Sequence, residues 1–203
     1  MKTEIKDFTD GGSLMVTRND PALPPDNKRL LRHALGLFPT GVAVVTSTTW
    51  EGERLGATVS SFSSVSLDPP LVLFSMARSA NSFEAWRCVE TFAVNILDEL
   101  QTDISSRFSR PKSDKWSGLE PQISEITGAP LLLDALAWFE CRAWARYDGG
   151  DHVIFVGEIV SYAHRTGEDA RPLVFFASNY TRLENSRQNL DGERSFLSLK
   201  NRS

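Results

Sequence analysis

GATVSSFSSVSLDPPLVLF, residues 56–74, sets six hydroxyl side chains in a segment that otherwise reads as strand, turn, strand. Thr58, Ser60, Ser61, Ser63, Ser64 and Ser66 fall within nine positions, and an apolar run follows at once. A strand turns alternate residues to opposite faces, so a half-buried one carries its hydroxyls on the wet face alone. Here they stand at both even and odd positions. Either the strand is bulged and irregular, or something polar packs against it.

Upstream, Val42-Ala43-Val44-Val45-Thr46 is a β-branched run that reads as a core strand. Trp50-Glu51-Gly52-Glu53 supplies the turn from which the hydroxyl-rich strand returns. Before them, Asp26 is placed to cap a helix whose Leu30, Leu31, Ala34, Leu35 and Phe38 recur at helical spacing, with Pro39-Thr40-Gly41 ending it. Downstream, Asp68-Pro69-Pro70 breaks the chain and Leu71–Phe74 reads as a buried strand. Asn81-Ser82-Phe83-Glu84 fits a capping box, predicting a helix from about Ser82 to Cys88. Phe92–Leu97 is a further strand, residues 98–108 look helical, and a basic loop (Arg110, Lys112, Lys115) follows. Leu136–Tyr147 is an aromatic-rich strand that Gly149-Gly150 turns into His152–Tyr162, and Leu173–Phe176 is the last strand. Six or seven strands with three modest helices predict a mainly β protein, a small barrel with flanking helices. Strand–helix alternation is lacking, which argues against a doubly wound sheet.

The chain of 203 residues is long enough for one domain with a real core. Residues 1–25 mix charges, Gly11-Gly12 and three prolines, and read as a flexible arm. The domain is expected over 26–183, followed by a polar tail over 184–203. A net charge of −4 gives no electrostatic case for nucleic acid or an anionic membrane. No apolar stretch approaches a membrane span. Cys88 and Cys141 lack C-x-x-C spacing and read as reduced thiols. A cytoplasmic protein is the expectation.

Most familiar catalytic groupings are missing. His33, His152 and His164 lack metal-ligand spacing, so no metal is expected. G-x-S-x-G, the P-loop and G-x-G-x-x-G are absent, and no side-chain nucleophile is indicated. Three clusters remain. The hydroxyl-rich stretch could hydrogen-bond the polar edge of a flat heterocycle, or could be a bulged strand with solvated serines. Arg78-Ser79-Ala80-Asn81-Ser82 leads into a helix start, which suits a phosphate, or Asn81 or Ser82 simply caps its helix. Gly149-Gly150-Asp151-His152 could admit a ligand that His152 contacts, or be a plain hairpin turn.

Taken in order, Arg32-His33-Ala34-Leu35-Gly36-Leu37-Phe38-Pro39-Thr40-Gly41-Val42, the Thr58–Pro70 segment, Phe92–Leu97, Pro130-Leu131, Trp138 with Cys141, Gly150-Asp151-His152, and Pro172-Leu173 to Tyr180 resemble the flavin reductase family. The resemblance covers roughly residues 28–182. It implies an FMN-binding split β-barrel, usually a homodimer, that uses FMN or FAD with NADH or NADPH. It also implies that reduced flavin passes by diffusion to a partner flavin-dependent monooxygenase.

On that mapping Thr58, Val59, Ser60 and Ser61 contact the isoalloxazine. Ser64, Arg78, Asn81 and Ser82 lie toward the ribityl phosphate, and Thr40 and Gly41 line the flavin's other side. Gly150, Asp151 and His152 mark the nicotinamide side. Arg78 and the 110–115 loop could also meet a 2′-phosphate, or be solvated. Two rivals stand beside an enzyme. One is a non-catalytic flavin-binding redox sensor or carrier on the same fold, which would have no need of His152. The other is an oxidase of the pyridoxamine-phosphate type, against which the hydroxyl stretch ending in Asp-Pro-Pro argues.

Overall fold

The computed structural model describes residues 4–7, 13–16, 25–111, 114–166 and 170–183. Its backbone divides into two compact units, Met1–Phe38 and Pro39–Ser203. In the first, β1 (Glu4–Asp7) and β2 (Ser13–Val16) form an antiparallel hairpin, and α1 (Pro25–Gly36) follows. The hairpin was not expected in a segment read as an arm. The helix begins at Pro25, whose missing N–H costs nothing in a first turn, so Asp26 stands inside the helix rather than at its cap. Leu31, Leu35 and Phe38, three of the residues read at helical spacing, are exposed, as is Leu37.

The second unit begins with β3 (Thr40–Gly41), β4 (Ala43–Thr48), β5 (Arg54–Val59), β6 (Ser63–Leu67) and β7 (Pro70–Ala77). Then come α2 (Phe83–Arg87), β8 (Thr91–Ile96) and α3 (Thr102–Ser109), followed by the short strands β9 (Gln122–Ile123) and β10 (Pro130–Leu131). Two long strands, β11 (Ala137–Gly149) and β12 (His152–His164), form the central hairpin. β13 (Val174–Phe176) and β14 (Asn179–Thr181) end the described chain. The tail expected over 184–203 lies outside the described residues.

Seven strands make one antiparallel sheet in the order β5-β4-β8-β11-β12-β7-β6. Its two edges, β5 and β6, are consecutive in the chain and joined by Ser60, Ser61 and Phe62 alone. Laid flat, six interstrand gaps would hold those edges about 29 Å apart, whereas a three-residue link reaches about 14 Å. The sheet therefore curls into an incomplete barrel. Ser61 bridges the split: its Oγ accepts from Ser75 N–H at 2.9 Å and donates to Ser75 C=O at 3.2 Å, taking the place of a ladder pair on β7. The ladder itself stays open between β5 and β7. The mainly β fold with flanking helices is the expected one.

Hydroxyls on both faces now have a cause. The stretch is two strands with a break between them, and β6 carries a register shift between Ser64 and Ser66. Thr58 Oγ1 donates to Ser105 C=O on α3 at 2.6 Å, Ser63 Oγ to Ser64 C=O, and Ser66 Oγ accepts from Asp68 N–H.

Inside the curl, Phe74 and Phe155 stack with centroids 5.0 Å apart, and Trp86 and Phe92 meet Phe74 edge-on. Gly157 admits Phe92 here, since a Cβ on it would sit 2.3 Å from the Phe92 ring. Cys141 is buried beside them, and desolvation followed by the Glu140 charge pushes its thiol up to about 12.

Both helices of this unit depart from the sequence reading. α2 spans only Phe83–Arg87, and Ser82 at its N-cap makes no side-chain capping bond, so the capping box does not form. α3 starts at Thr102 rather than 98, because in a turn ahead of it Asp98 N–H donates to Gln101 Oε1 and Leu100 N–H donates to Asp98 Oδ1.

Candidate active site

β5 is an edge strand, and its unpaired edge builds the site. The carbonyl of Arg54 accepts from Trp116 Nε1 at 2.9 Å, and that of Gly56 accepts from Lys115 Nζ at 2.9 Å. Residues 54 and 56 thus turn their backbone groups away from β4. Strand alternation gives Thr58 the same direction, with nothing of the sheet facing it. A strap over Asp114–Ser117 covers the lower part of this edge and leaves the upper part open. The strap is shaped by Asp114, whose Oδ1 accepts from the N–H groups of Trp116 and Ser117 at 3.1 Å each. Trp116 packs edge-on against Phe108 at 4.9 Å and lies under the Arg54 guanidinium.

Beyond the open edge lies a cleft of about 1350 Å³, larger than the ~300–1,000 Å³ that one ligand usually takes. β5 and the residues after it form one wall. The end of β7, the start of α2, the end of α3, the strap and His152 form the rest.

Of the residues proposed from sequence, the cleft gathers Thr58, Val59, Ser60, Ser61, Asn81, Ser82 and His152. Because the capping box does not form, the side chains of Asn81 and Ser82 are left for the cleft. The others lie elsewhere. Thr40 and Gly41 pair with Phe175 and Val174 on β13, where the Thr40 hydroxyl is buried without a partner among the described residues. Ser64 is exposed on β6.

Arg78, Gly150 and Asp151 stand behind His152 and hold its turn. Arg78 Nε donates to Gly150 C=O at 2.9 Å, its own N–H to Asp151 C=O at 2.9 Å, and its guanidinium meets Asp148 at 3.3 Å. The Gly150 N–H, then Arg78, hold the Asp148 carboxyl below the usual carboxylate range. The Arg78–Asp148 pair is therefore intact throughout neutral pH and is lost only as pH falls through that lowered value, while the bonds to the Gly150 and Asp151 carbonyls do not titrate. Gly150 adopts φ +78°, which a residue with a Cβ resists. Asp151 Oδ1 lies 2.6 Å from His152 Nδ1, so the carboxylate accepts an Nδ1–H and Nε2 is the ring nitrogen left for a ligand.

The sequence reading missed Gly56, Arg54, Trp116 and the role of Lys115. Asp114 two residues before a tryptophan is a turn signal that could have indicated an ordered strap. Lys112 lies outside the described residues. Among the described residues no cluster of acidic, histidine and cysteine side chains could hold a metal ion, and no helix is long and apolar enough to cross a membrane.

Residues 35–184 match the flavin reductase like domain. The FMN reductase (NADH) SmoA of Agrobacterium fabrum is 45% identical over 157 residues, covering 77% of this chain and 87% of that protein. The reductase subunit HsaB of a flavin-dependent monooxygenase from Mycobacterium tuberculosis is 36% identical, covering 77% of this chain and 82% of its own length. Among solved structures, the NADH:FAD oxidoreductase SgcE6 of Streptomyces globisporus, in complex with NAD and FAD fragments, superimposes with a TM-score of 0.74 at 34% identity, over 81% of this chain and 97% of that one. The chain belongs to the flavin reductase family.

Replacing Arg78 with alanine is expected to loosen the turn and not the barrel. In hydrogen exchange the amides of residues 150–153 should exchange several-fold faster while those of β8 and β11 keep their protection. Unchanged exchange at the turn would show that Arg78 does not hold it.

Proposed function

We propose that this chain transfers hydride from NADH to FMN or FAD and supplies the reduced flavin to a separate monooxygenase. The observation that carries the reading is the open backbone edge of β5 at Thr58, facing a cleft wide enough for two planar ligands and bordered by His152. A strand edge offers N–H and C=O groups in alternation. That pattern complements the acceptor–donor–acceptor pyrimidine edge of an isoalloxazine, in the way that an added strand pairs with a sheet edge. The donor set therefore fits a flavin.

When bound, the flavin supplies the hydride acceptor and the dihydronicotinamide the donor. The chain's own residues position and exclude. Thr58, Ser60 and Ser61 hold the ring's polar edge with Val59 bordering them, and among the described residues the Ser60 hydroxyl makes no hydrogen bond. Asn81 and Ser82 take the ribityl phosphate side. His152, fixed by Asp151 and by the Arg78 clamp, offers Nε2 to the nicotinamide carboxamide. No residue acts as a nucleophile or an obligatory base, which matches a site in which proximity does the work.

NADH as donor and a monooxygenase as recipient are supported by the relatives, two of which are named for NADH and one as a monooxygenase subunit. A cleft open to solvent suits a flavin that binds, is reduced and diffuses away. A carrier without turnover would have no use for His152. NADH is an intracellular nucleotide, so a cytoplasmic setting goes with the reading.

The purified protein should bleach the visible absorbance of many equivalents of FMN or FAD when given NADH. Failure with both flavins and both nicotinamide nucleotides would overturn the enzyme reading. His152→Ala should raise the KM for NADH about tenfold with kcat changed far less, as expected for lost binding rather than lost chemistry. An unchanged KM removes His152 from the site.

A homodimer is part of the same proposal. Leu31, Leu35, Leu37 and Phe38 expose an apolar stripe of the kind that a second copy covers. Light scattering should give twice the chain mass, and Leu35→Glu should give the single mass. A monomeric unsubstituted protein contradicts it.

A further inference from the structure

Lys115 stands where the strap ends and the open edge of β5 begins. Its Nζ donates to Gly56 C=O at 2.9 Å and to Phe108 C=O at 2.8 Å. Phe108 lies in the last turn of α3, so one bond satisfies a carbonyl that the helix leaves unpaired. Gly56 permits the approach, because a Cβ there would lie 2.3 Å from the Phe108 ring. On these contacts alone Lys115 ties a helix end to a strand.

Further observations go past that role. The ammonium has three N–H donors and two are taken, so among the described residues one donor and the whole charge remain. The side chain lines the cleft, and half of it is out of water. Burial holds its pKa below the ordinary lysine range, the mark of an ammonium stripped of part of its hydration. Two carbonyls fix its position without neutralising it. Thr58 is the next residue along β5 to face the same edge, about 7 Å further on.

We propose that Lys115 is a specificity-determining residue of the flavin site, its remaining N–H facing the pyrimidine side of the ring and favouring the reduced anion over the neutral oxidised ring. The proposal rests on reading the β5 edge as the seat of that ring. In the reaction a hydride leaves C4 of the dihydronicotinamide, which becomes a cation. The flavin gains the hydride at N5 and a negative charge spread over N1 and the C2 carbonyl. Lys115 gives up no proton and forms no bond. A cation already fixed beside the place where charge develops needs no reorganisation. Such a residue biases the site toward its product.

Anaerobic titration tests this with oxidised and with dithionite-reduced FMN and riboflavin, on the unsubstituted protein, Lys115→Gln, Lys115→Arg and Trp116→Phe. The unsubstituted protein should bind reduced flavin about tenfold more tightly than oxidised, the scale of one charge-assisted hydrogen bond. Lys115→Gln should abolish that preference for FMN and riboflavin alike, and Lys115→Arg should restore most of it. Trp116→Phe loosens the strap by removing the bond to Arg54 while keeping the charge, and should move both redox forms equally. Equal weakening of both forms in Lys115→Gln, or no change at all, overturns the proposal and leaves a helix cap. Weakening with FMN but not riboflavin also overturns it, by assigning the charge to the phosphate. Should Lys115→Gln not fold, an unsubstituted protein with no preference between redox forms still overturns it. Flavin bound tightly but without preference spares the β5 seat; no flavin bound in either state takes the seat and Lys115 down together.

Discussion

Three residues, Ser60, Ser61 and Phe62, join the two edges of a seven-stranded sheet. A link that short cannot cross a flat sheet of that width, so the curl, the enclosed aromatic core and the position of the cleft follow from it. Phe62 enters the core and stacks on Phe139 at 5.7 Å, while Ser61 holds β7. Closure by one side chain rather than by a ladder leaves the outer edge of β5, opposite β4, without a strand partner. An exposed strand edge is normally a liability. Here it is divided between a strap, which consumes the groups of Arg54 and Gly56, and a cleft, which has the use of those at Thr58.

The same economy governs the opposite wall. Arg78 has the look of a phosphate ligand, yet its Nε is bonded to the backbone of the β11–β12 turn and its charge is paired with Asp148. Its contribution to the site is the placement of His152. Lys115 shows the converse. Its bonds are structural, and its geometry leaves a charge over for the ligand. What separates the two basic groups is the partner: the Arg78 charge is met by the Asp148 carboxylate, while Lys115 is held by two neutral carbonyls.

Much of this was legible in the sequence. Alternation and turn residues located the longer strands between Ala43 and Phe176, because half-buried strands carry their period in the side chains, although β7 runs three residues past the expected Phe74 and the short β9 and β10 were not foreseen. The even and odd hydroxyls signalled an irregular strand, and their run marked the wall of the cleft. The rest was set by tertiary contacts with no local pattern. Asn81-Ser82-Phe83-Glu84 satisfies the capping rule, but the turn at 78–81 is dictated by Arg78 reaching residues 150 and 151. Thr40 and Gly41 are drawn to β13 by pairing that no window of sequence displays. The strap is invisible for a similar reason: Lys115 and Trp116 find their acceptors 59 and 62 positions away.

The central claim is that a flavin ring pairs with the open edge of β5. Amide resonances followed during titration with oxidised FMN test it most directly. The account predicts that the largest shifts, and slowed exchange, fall on Thr58 and the amides through Ser61, with smaller changes at Lys115. Shifts confined to another surface, such as the groove between Asp98 and Arg165, with residues 58–61 unmoved, would contradict it.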